Sequence, residues 1–167
     1  MSKHPHKEKD EKTNVMRLLD AAGVAYVPHQ IPLGDGDPLD GVTAARRMGK
    51  EPEEVFKTLV AQGPHGEHFV FVIPVAESLD LKKAARAAGV KSIAMLPQKQ
   101  LLPLTGYVHG GCSPVGMTKP FPTFFAEEVV LVDTMTCSAG KIGRQIEVRP
   151  DDLIAYVGGT VADLTVS

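Results

Sequence analysis

The sequence of 167 residues contains no tryptophan, only two cysteines and no long apolar run. Cys112 and Cys137 cannot supply a disulfide framework, and their spacing fits no cysteine-based zinc site. The longest apolar stretches, such as residues 69–75, are far too short to cross a bilayer. Residues 1–12 are charged and lack the apolar segment of a secretory signal, so we expect a cytoplasmic protein without a membrane anchor.

The sequence also lacks an excess of charge of either sign. Eighteen basic and twenty acidic residues give a formal net charge of −2. This balance argues against a broad basic surface that coats RNA, although a local pocket for an RNA end remains compatible with it. The six histidines are scattered, and no pair has helical metal-ligand spacing. Asp35, Asp37 and Asp40 could form a carboxylate metal site, but a solvated loop is the favoured interpretation. We therefore expect no metal and no other cofactor.

The sequence does contain alternating helical and extended patterns, over a length that suits one domain. Residues 1–12 are predicted to form a flexible tail, and residues 13–167 a single α+β domain with a largely β core. Helices are expected between capping residues and stop glycines, at 13–23, 80–89 and 150–158, with shorter ones at 43–48, 52–54 and 97–104. Strands are expected at 24–31, 55–60, 68–75, 120–132, 142–148 and 161–166. Residues 137–141 are predicted to form a turn of small residues.

The most distinctive stretch is the glycine-rich loop at 106–116. Gly110 and Gly111 permit backbone geometry that other residues avoid and allow a ligand to approach the main chain. Pro114 stiffens the exit of the loop. Such a loop can direct several N–H groups at a phosphate or a developing oxyanion, but a plain turn between two strands is an equally simple explanation.

Two other features bear on chemistry. Lys57 lies at the start of a strand between apolar neighbours, where it either extends to solvent or places a fixed positive charge in a cleft. A cysteine nucleophile is conceivable at Cys112 with His109 three residues before it, although a buried structural cysteine is more common. With no other evident nucleophile, the attacking group would be water or part of the substrate.

Four motifs resemble the YbaK/EbsC family of Cys-tRNA(Pro) deacylases, which are related to the editing domain of bacterial prolyl-tRNA synthetases. They are VFKTL at 55–59, LDLKKAA at 79–85, TGYVHGGCSPVG at 105–116 and SAGKIG at 138–143. The motifs occur in the order of the family, and the resemblance extends over about residues 13–165. It implies a mixed, barrel-like β-sheet flanked by helices. It also implies hydrolysis of the aminoacyl ester at the 3′ acceptor end of a mischarged tRNA, with the thiol of the substrate attacking its own ester.

The resemblance further implies roles for individual residues. Lys57 matches the essential lysine that holds the terminal adenosine and phosphate region, and Gly110 and Gly111 match the loop that contacts the reacting carbonyl. The expected substrate-binding residues are Tyr26, Ser113, Pro114, Ser138 and Gln145. Gln145 stands where some members carry an aspartate, so it offers hydrogen bonds but no charge.

Three functions therefore remain in view at this point. The first is a trans-editing deacylase for Cys-tRNA(Pro), with prolyl-tRNA synthetase as a candidate partner. The second is the same chemistry on alanine or another small amino acid, because one methylene changes selectivity only by roughly 10- to 200-fold. The third is a non-catalytic module that binds the tRNA acceptor end.

Overall fold

The computed structural model describes residues 11–32 and 40–167, which form two β-sheets joined by one bridge, with helices on both faces. The described residues include five α-helices: α1 (Asn14–Ala22), α2 (Gly41–Arg47), α3 (Leu81–Ala88), α4 (Leu101–Thr105) and α5 (Pro150–Val157). Their strands are β1 (Tyr26–Gln30), β2 (Phe56–Gln62), β3 (His68–Pro74), β4 (Ala94–Met95), β5 (Thr123–Ala126), β6 (Met135–Lys141), β7 (Arg144–Val148) and β8 (Thr160–Ala162). Short 3₁₀ helices occur at Pro52–Glu54, Gln98–Gln100 and Glu127–Leu131.

The predicted helix signals are confirmed where capping residues specify both ends. The hydroxyl of Thr13 accepts the N–H of Met16 at the start of α1, and Gly23 ends that helix with a left-handed φ of 74°. Asp80 caps α3 in the same way, accepting two backbone N–H groups, and Gly89 ends it. These local hydrogen bonds satisfy backbone groups that a helix end leaves free, which is why the sequence alone locates them.

The strands form two sheets joined at a single point. Strands β1, β7 and β6 form an antiparallel sheet, and the second sheet has the order β4-β2-β3-β5-β8 with both parallel and antiparallel neighbours. A parallel bridge between Val55 and Thr136 connects β2 to β6, so the two sheets continue into one another. In the part of the chain that the structure describes, β1 and β8 do not pair, and the sheet stays open. The predicted α+β class with a mixed sheet is confirmed.

Two apolar layers pack on the two faces of this sheet. On the inner face, α1 and α5 cover residues such as Phe56, Cys137 and Ile146. On the outer face, α3 covers residues of β2 and β3, among them Ala61 and Phe71. Because side chains alternate along a strand, the residues between the inner ones point to the outer face.

Two of the predicted element assignments are wrong. Residues 120–132 are not one strand, because β5 ends at Ala126 and a 3₁₀ helix follows, which leaves Val130 and Leu131 exposed. Residues 137–141 are not a turn but the second half of β6, with an irregularity after Ser138. Small residues occur there because Tyr107 and Val15 pack closely on the strand: a Cβ added at Gly140 would lie 3.1 Å from each.

Other boundaries shift by a few residues. Helix α2 begins at Gly41 rather than at 43, because Asp40 accepts the N–H of Thr43 and so caps the helix earlier. The expected strand at 161–166 shortens to β8, Thr160–Ala162. Of the suggested carboxylate site, Asp35 and Asp37 lie outside the described residues, as do residues 1–10 of the predicted tail. The division of the chain at residue 12 therefore stays a prediction.

Candidate active site

Polar side chains from four neighbouring strands line up on the outer face. The bridge between Val55 and Thr136 is parallel, so both strands run in the same direction from it. Lys57 and Ser138 each lie two residues beyond the bridge and are therefore side by side. Ser138 is paired in register with β7, and β7 in turn with β1. The resulting polar row consists of Lys57, Ser138, Gln145 and His29. Three of these residues were predicted from the sequence, and the fold brings them together.

Lys57 is the positively charged end of the polar row. Its side chain is half-buried at the start of β2, opposite Ile73 of β3. Burial lowers the pKa of Lys57 below its usual range, and the negative charge of Glu77 nearby opposes that decrease. Of the two interpretations of its sequence position, the structure therefore favours a cation held within the fold over one extended into solvent.

Ser138 and Gln145 form the middle of the polar row and are both buried. The hydroxyl oxygen of Ser138 accepts the backbone N–H of Gly140 at 3.1 Å, which stabilises the irregular end of β6. Gln145 lies between Ser138 and His29 in the register of the sheet. An amide and a hydroxyl at these positions offer directed hydrogen bonds without a charge.

The glycine loop packs on the tip of the hairpin formed by β6 and β7. A Cβ added at Gly111 would lie 3.1 Å from the amide nitrogen of Ile142 and 3.2 Å from the carbonyl carbon of Lys141. Gly110 is exposed and has a left-handed φ of 88°. The N–H of Gly111 donates to the carbonyl of Val108, whereas among the described residues the N–H of Gly110 has no acceptor. The N–H of Gly110 is therefore not engaged within the described part of the fold.

Ser113 and Pro114 lie inside the loop rather than at its surface. Both residues are buried, and the Ser113 oxygen accepts the N–H of Val115 at 3.1 Å. The hydroxyl of Tyr107 donates to the carbonyl of Val115 and fixes the same segment from the core. These contacts shape the loop. Direct contact of Ser113 and Pro114 with a substrate stays a prediction.

Cys112 is buried on the inner face, and His109 is exposed. Burial raises the pKa of the Cys112 thiol to about 12, so the thiol stays protonated at neutral pH. Since a thiolate is the nucleophilic form, this environment disfavours a cysteine nucleophile.

Among the predicted site residues on the strands, Tyr26 lies away from the polar row. It packs against the inner apolar layer from β1, whereas His29 and Gln145 point to the outer face. Burial raises the pKa of Tyr26, and the nearby carboxylate of Asp20 adds to the increase. Its role in binding a substrate stays a prediction.

Sequence reasoning missed a polar cluster at the other end of the row. Nε2 of His29 lies 2.9 Å from Oε1 of Glu147, and Nζ of Lys50 lies 3.0 Å from the same oxygen. The hydroxyl of Thr134 donates to the second oxygen of Glu147 at 2.5 Å. No sequence spacing joins these four residues, because the pairing of β1 with β7 creates the contact. The only available signal was a histidine inside a predicted strand.

Two negative observations apply to residues 11–32 and 40–167. Within those ranges no three or more histidine, cysteine or acidic side chains are grouped as metal ligands would be. Within the same ranges, no helix has the length and apolarity that a transmembrane helix requires.

Comparison with known proteins places the chain in a family. The sequence model of the aminoacyl-tRNA editing domain matches residues 40–156. The chain is 41% identical over 159 residues to a protein of Enterococcus faecalis named "Putative Cys-tRNA(Pro)/Cys-tRNA(Cys) deacylase EbsC", covering 95% of this chain and 96% of that protein. The chain therefore belongs to the aminoacyl-tRNA editing domain family.

Solved structures support the same assignment. One, described as "a putative trans-editing enzyme for prolyl tRNA synthetase", is 26% identical with a TM-score of 0.79, covering 94% of this chain and 100% of that one. Another, of a hypothetical protein, has a TM-score of 0.82 at 22% identity and covers 92% of this chain and 100% of that one. At that identity the second structure supports the fold alone.

Proposed function

We propose that this protein is a trans-acting aminoacyl-tRNA deacylase that hydrolyses mischarged Cys-tRNA(Pro) in the cytoplasm. The observation that carries the proposal is the half-buried Lys57 beside Ser138. Ser138 belongs to the β6–β7 hairpin, and the tip of that hairpin lies against Gly110 and Gly111. The 41% identical relative, whose name includes both Cys-tRNA(Pro) and Cys-tRNA(Cys), supports the choice of a cysteinyl ester.

The charge of Lys57 suits the phosphate end of the terminal nucleotide. A cation that is partly withdrawn from water attracts a phosphate more strongly than one in bulk solvent. Ser138 and Gln145 are positioned to hydrogen-bond the nucleotide or its aminoacyl group. Lys57 would thereby orient the 3′ end of the tRNA so that the ester reaches the glycine loop.

The free N–H of Gly110 supplies the second part of the chemistry. During attack on an ester, negative charge develops on the carbonyl oxygen, and a fixed N–H donor stabilises that charge. We infer that Gly110 donates this hydrogen bond while Gly111 holds the loop against Lys141 and Ile142. The two predicted catalytic glycines then have different roles.

The attacking group in this proposal is not a side chain of the protein. Cys112 is too deeply buried and too weakly acidic to attack, which leaves the thiol of the cysteinyl ester or water. If the substrate thiol attacks, it loses its proton to solvent and its sulfur bonds to the carbonyl carbon. The bond from carbon to the ribose oxygen then breaks, and that oxygen takes up a proton. Water opens the resulting cyclic thioester, adding its hydroxyl to the carbonyl carbon and a proton to the sulfur, which gives free cysteine.

The test compares deacylation of Cys-tRNA(Pro) and Ala-tRNA(Pro) by the wild type and by Lys57→Ala. Lys91→Ala, at an exposed position away from the row, is the matched control. Rapid loss of cysteine only, abolished in Lys57→Ala and retained in the control, would support the proposal with thiol assistance. Equal loss of alanine would instead indicate a pocket that selects size and uses water.

Retention of both amino acids, together with saturable tRNA binding, would favour a non-catalytic module for the acceptor end.

Selection of the tRNA is a separate question. The near-neutral net charge suggests that the protein itself discriminates only weakly among tRNAs. Prolyl-tRNA synthetase would then be the partner that selects the tRNA. Cleavage of Cys-tRNA(Pro) much faster than Cys-tRNA(Cys) by the isolated protein would contradict this partnership.

A further inference from the structure

The cluster of His29, Glu147, Lys50 and Thr134 ends the polar row on the side opposite Lys57. Glu147 contacts three different segments. It is hydrogen-bonded to His29 of β1 and to Thr134 before β6, and it forms an ion pair with Lys50 after α2. The side chain of Lys50 is only 15% exposed and that of Glu147 only 21%. So many partners for one largely buried carboxylate fix its position, and with it the ring of His29.

The hydrogen bonds of Glu147 define which nitrogen of His29 carries a proton. The Thr134 hydroxyl, followed by His29 and Lys50, lowers the pKa of Glu147 to about 2. The carboxylate is therefore ionised at neutral pH and can only accept hydrogen bonds, so Nε2 of His29 must donate. In a neutral imidazole the other nitrogen, Nδ1, is then an acceptor. Among the described residues, Nδ1 has no hydrogen-bond partner.

We propose that His29, positioned by Glu147, is a substrate-binding residue that accepts a hydrogen bond from the α-amino group of the aminoacyl ester. This inference rests on the proposed deacylase function and extends it to recognition of the amino acid. Gln145, the neighbour of His29 in the polar row, offers a second neutral acceptor through its amide oxygen.

The distribution of charge along the row supports this assignment. The row begins with the cation of Lys57 and ends with an imidazole backed by a carboxylate. An aminoacyl nucleotide has the opposite polarity, with a phosphate at one end and an ammonium group at the other. Three strand spacings separate Lys57 from His29, about 14 Å. That length is on the scale of one nucleotide carrying an aminoacyl group.

The test removes the α-amino group and keeps the thiol and the ester of the substrate. Cys-tRNA(Pro) is compared with the same tRNA esterified with 3-mercaptopropionate, in which a hydrogen atom stands in place of the ammonium group and offers no hydrogen bond. We expect wild-type kcat/KM to be roughly 10- to 100-fold higher for the amine, mainly through KM, as for loss of a hydrogen bond to a charged group. In His29→Ala this preference should fall to within about threefold.

Two further variants separate recognition from folding. His29→Gln retains an acceptor in a side chain of similar reach and should recover part of the preference, whereas His65→Ala, at an exposed turn, should leave it unchanged. If His29→Ala has a much lower Tm than the wild type, the ratio of kcat/KM for the two esters is taken from His29→Gln and Glu147→Gln instead. Those two ratios then decide whether His29 recognises the amino group. We expect Glu147→Gln to reduce the preference, because it weakens the bond that fixes the ring.

The outcomes distinguish this inference from the proposed function. A wild-type enzyme that hydrolyses both esters equally well, or a folded His29→Ala variant with an unchanged preference, would overturn the role of His29 and leave the deacylase intact. A wild-type protein that hydrolyses neither ester would overturn both.

Discussion

Gly111 packs so closely on Ile142 that an added Cβ would lie 3.1 Å from the Ile142 amide nitrogen. The neighbouring atoms belong to the backbone of the β6–β7 hairpin, so they cannot rotate away as a side chain would. Because Gly111 has no side chain, the glycine loop can lie in direct contact with the hairpin that carries Ser138. The predictions below test this contact and the charges around it.

Gly111→Ala should displace the loop from the hairpin and lower deacylation by at least tenfold, while the protein remains folded. Gly110→Ala should act differently, because its Cβ would have space, 3.7 Å from the nearest Ile142 atom, and only its left-handed φ is strained. That strain costs about 1–2 kcal/mol. The measurement is kcat/KM together with the free energy of unfolding.

Gly66→Ala is the matched control, since Gly66 has a similar φ of 84° with nothing near its Cβ. It should lose stability like Gly110→Ala and keep full activity. Equal activity of Gly111→Ala and Gly66→Ala would show that the close packing has no role in catalysis.

Glu77→Gln should shift the alkaline limb of the pH–rate profile to lower pH. Burial lowers the pKa of Lys57, and Glu77 opposes that effect, so removing the negative charge lowers the pKa further. If the protonated lysine binds the phosphate, activity will then be lost at a less alkaline pH. The profile is measured as kcat/KM after subtraction of spontaneous ester hydrolysis. Glu67→Gln, on the hairpin between β2 and β3, should leave the midpoint in place.

Cys112→Ala should retain deacylation within about threefold of the wild type, because the buried thiol, with its pKa raised to about 12, is not the nucleophile. Iodoacetamide at pH 8 should likewise leave the folded enzyme unmodified, as both cysteines are buried. Mass spectrometry and the rate of deacylation provide the readouts. Complete inactivity of a folded Cys112→Ala variant would restore the cysteine nucleophile.

Glu147 should make the stability of the protein depend on acid pH. Its pKa falls to about 2 in the folded state from an ordinary value near 4.5. A lowered pKa means that the stabilisation is complete above pH 4.5 and disappears as the pH falls towards 2. The Tm difference between the wild type and Glu147→Gln should therefore be largest at pH 6 and shrink by pH 3. A constant difference across this range would contradict the ionised cluster.

The sequence by itself determined the features that depend on neighbouring residues. The caps Thr13 and Asp80 and the stop glycines located the helices, since a cap bonds to backbone groups within three residues. Among the described strands β1 pairs with β7 alone, which agrees with Pro28 in its sequence, because proline has no N–H for a second partner. The family resemblance, carried by motifs that are continuous in the sequence, predicted Lys57, Gly110, Gly111 and Ser138 as site residues, and Gln145 two residues beyond the last motif.

Only the tertiary structure decided which of those residues meet. The polar row exists because Val55 bridges Thr136 and β7 pairs with β1, and strand register depends on contacts far apart in sequence. The same pairing revealed His29 and Glu147, which are 118 residues apart, and placed Tyr26 on the opposite face. Small residues at 137–141 were mistaken for a turn because their cause, the packing of Tyr107 against Gly140, lies in a distant loop.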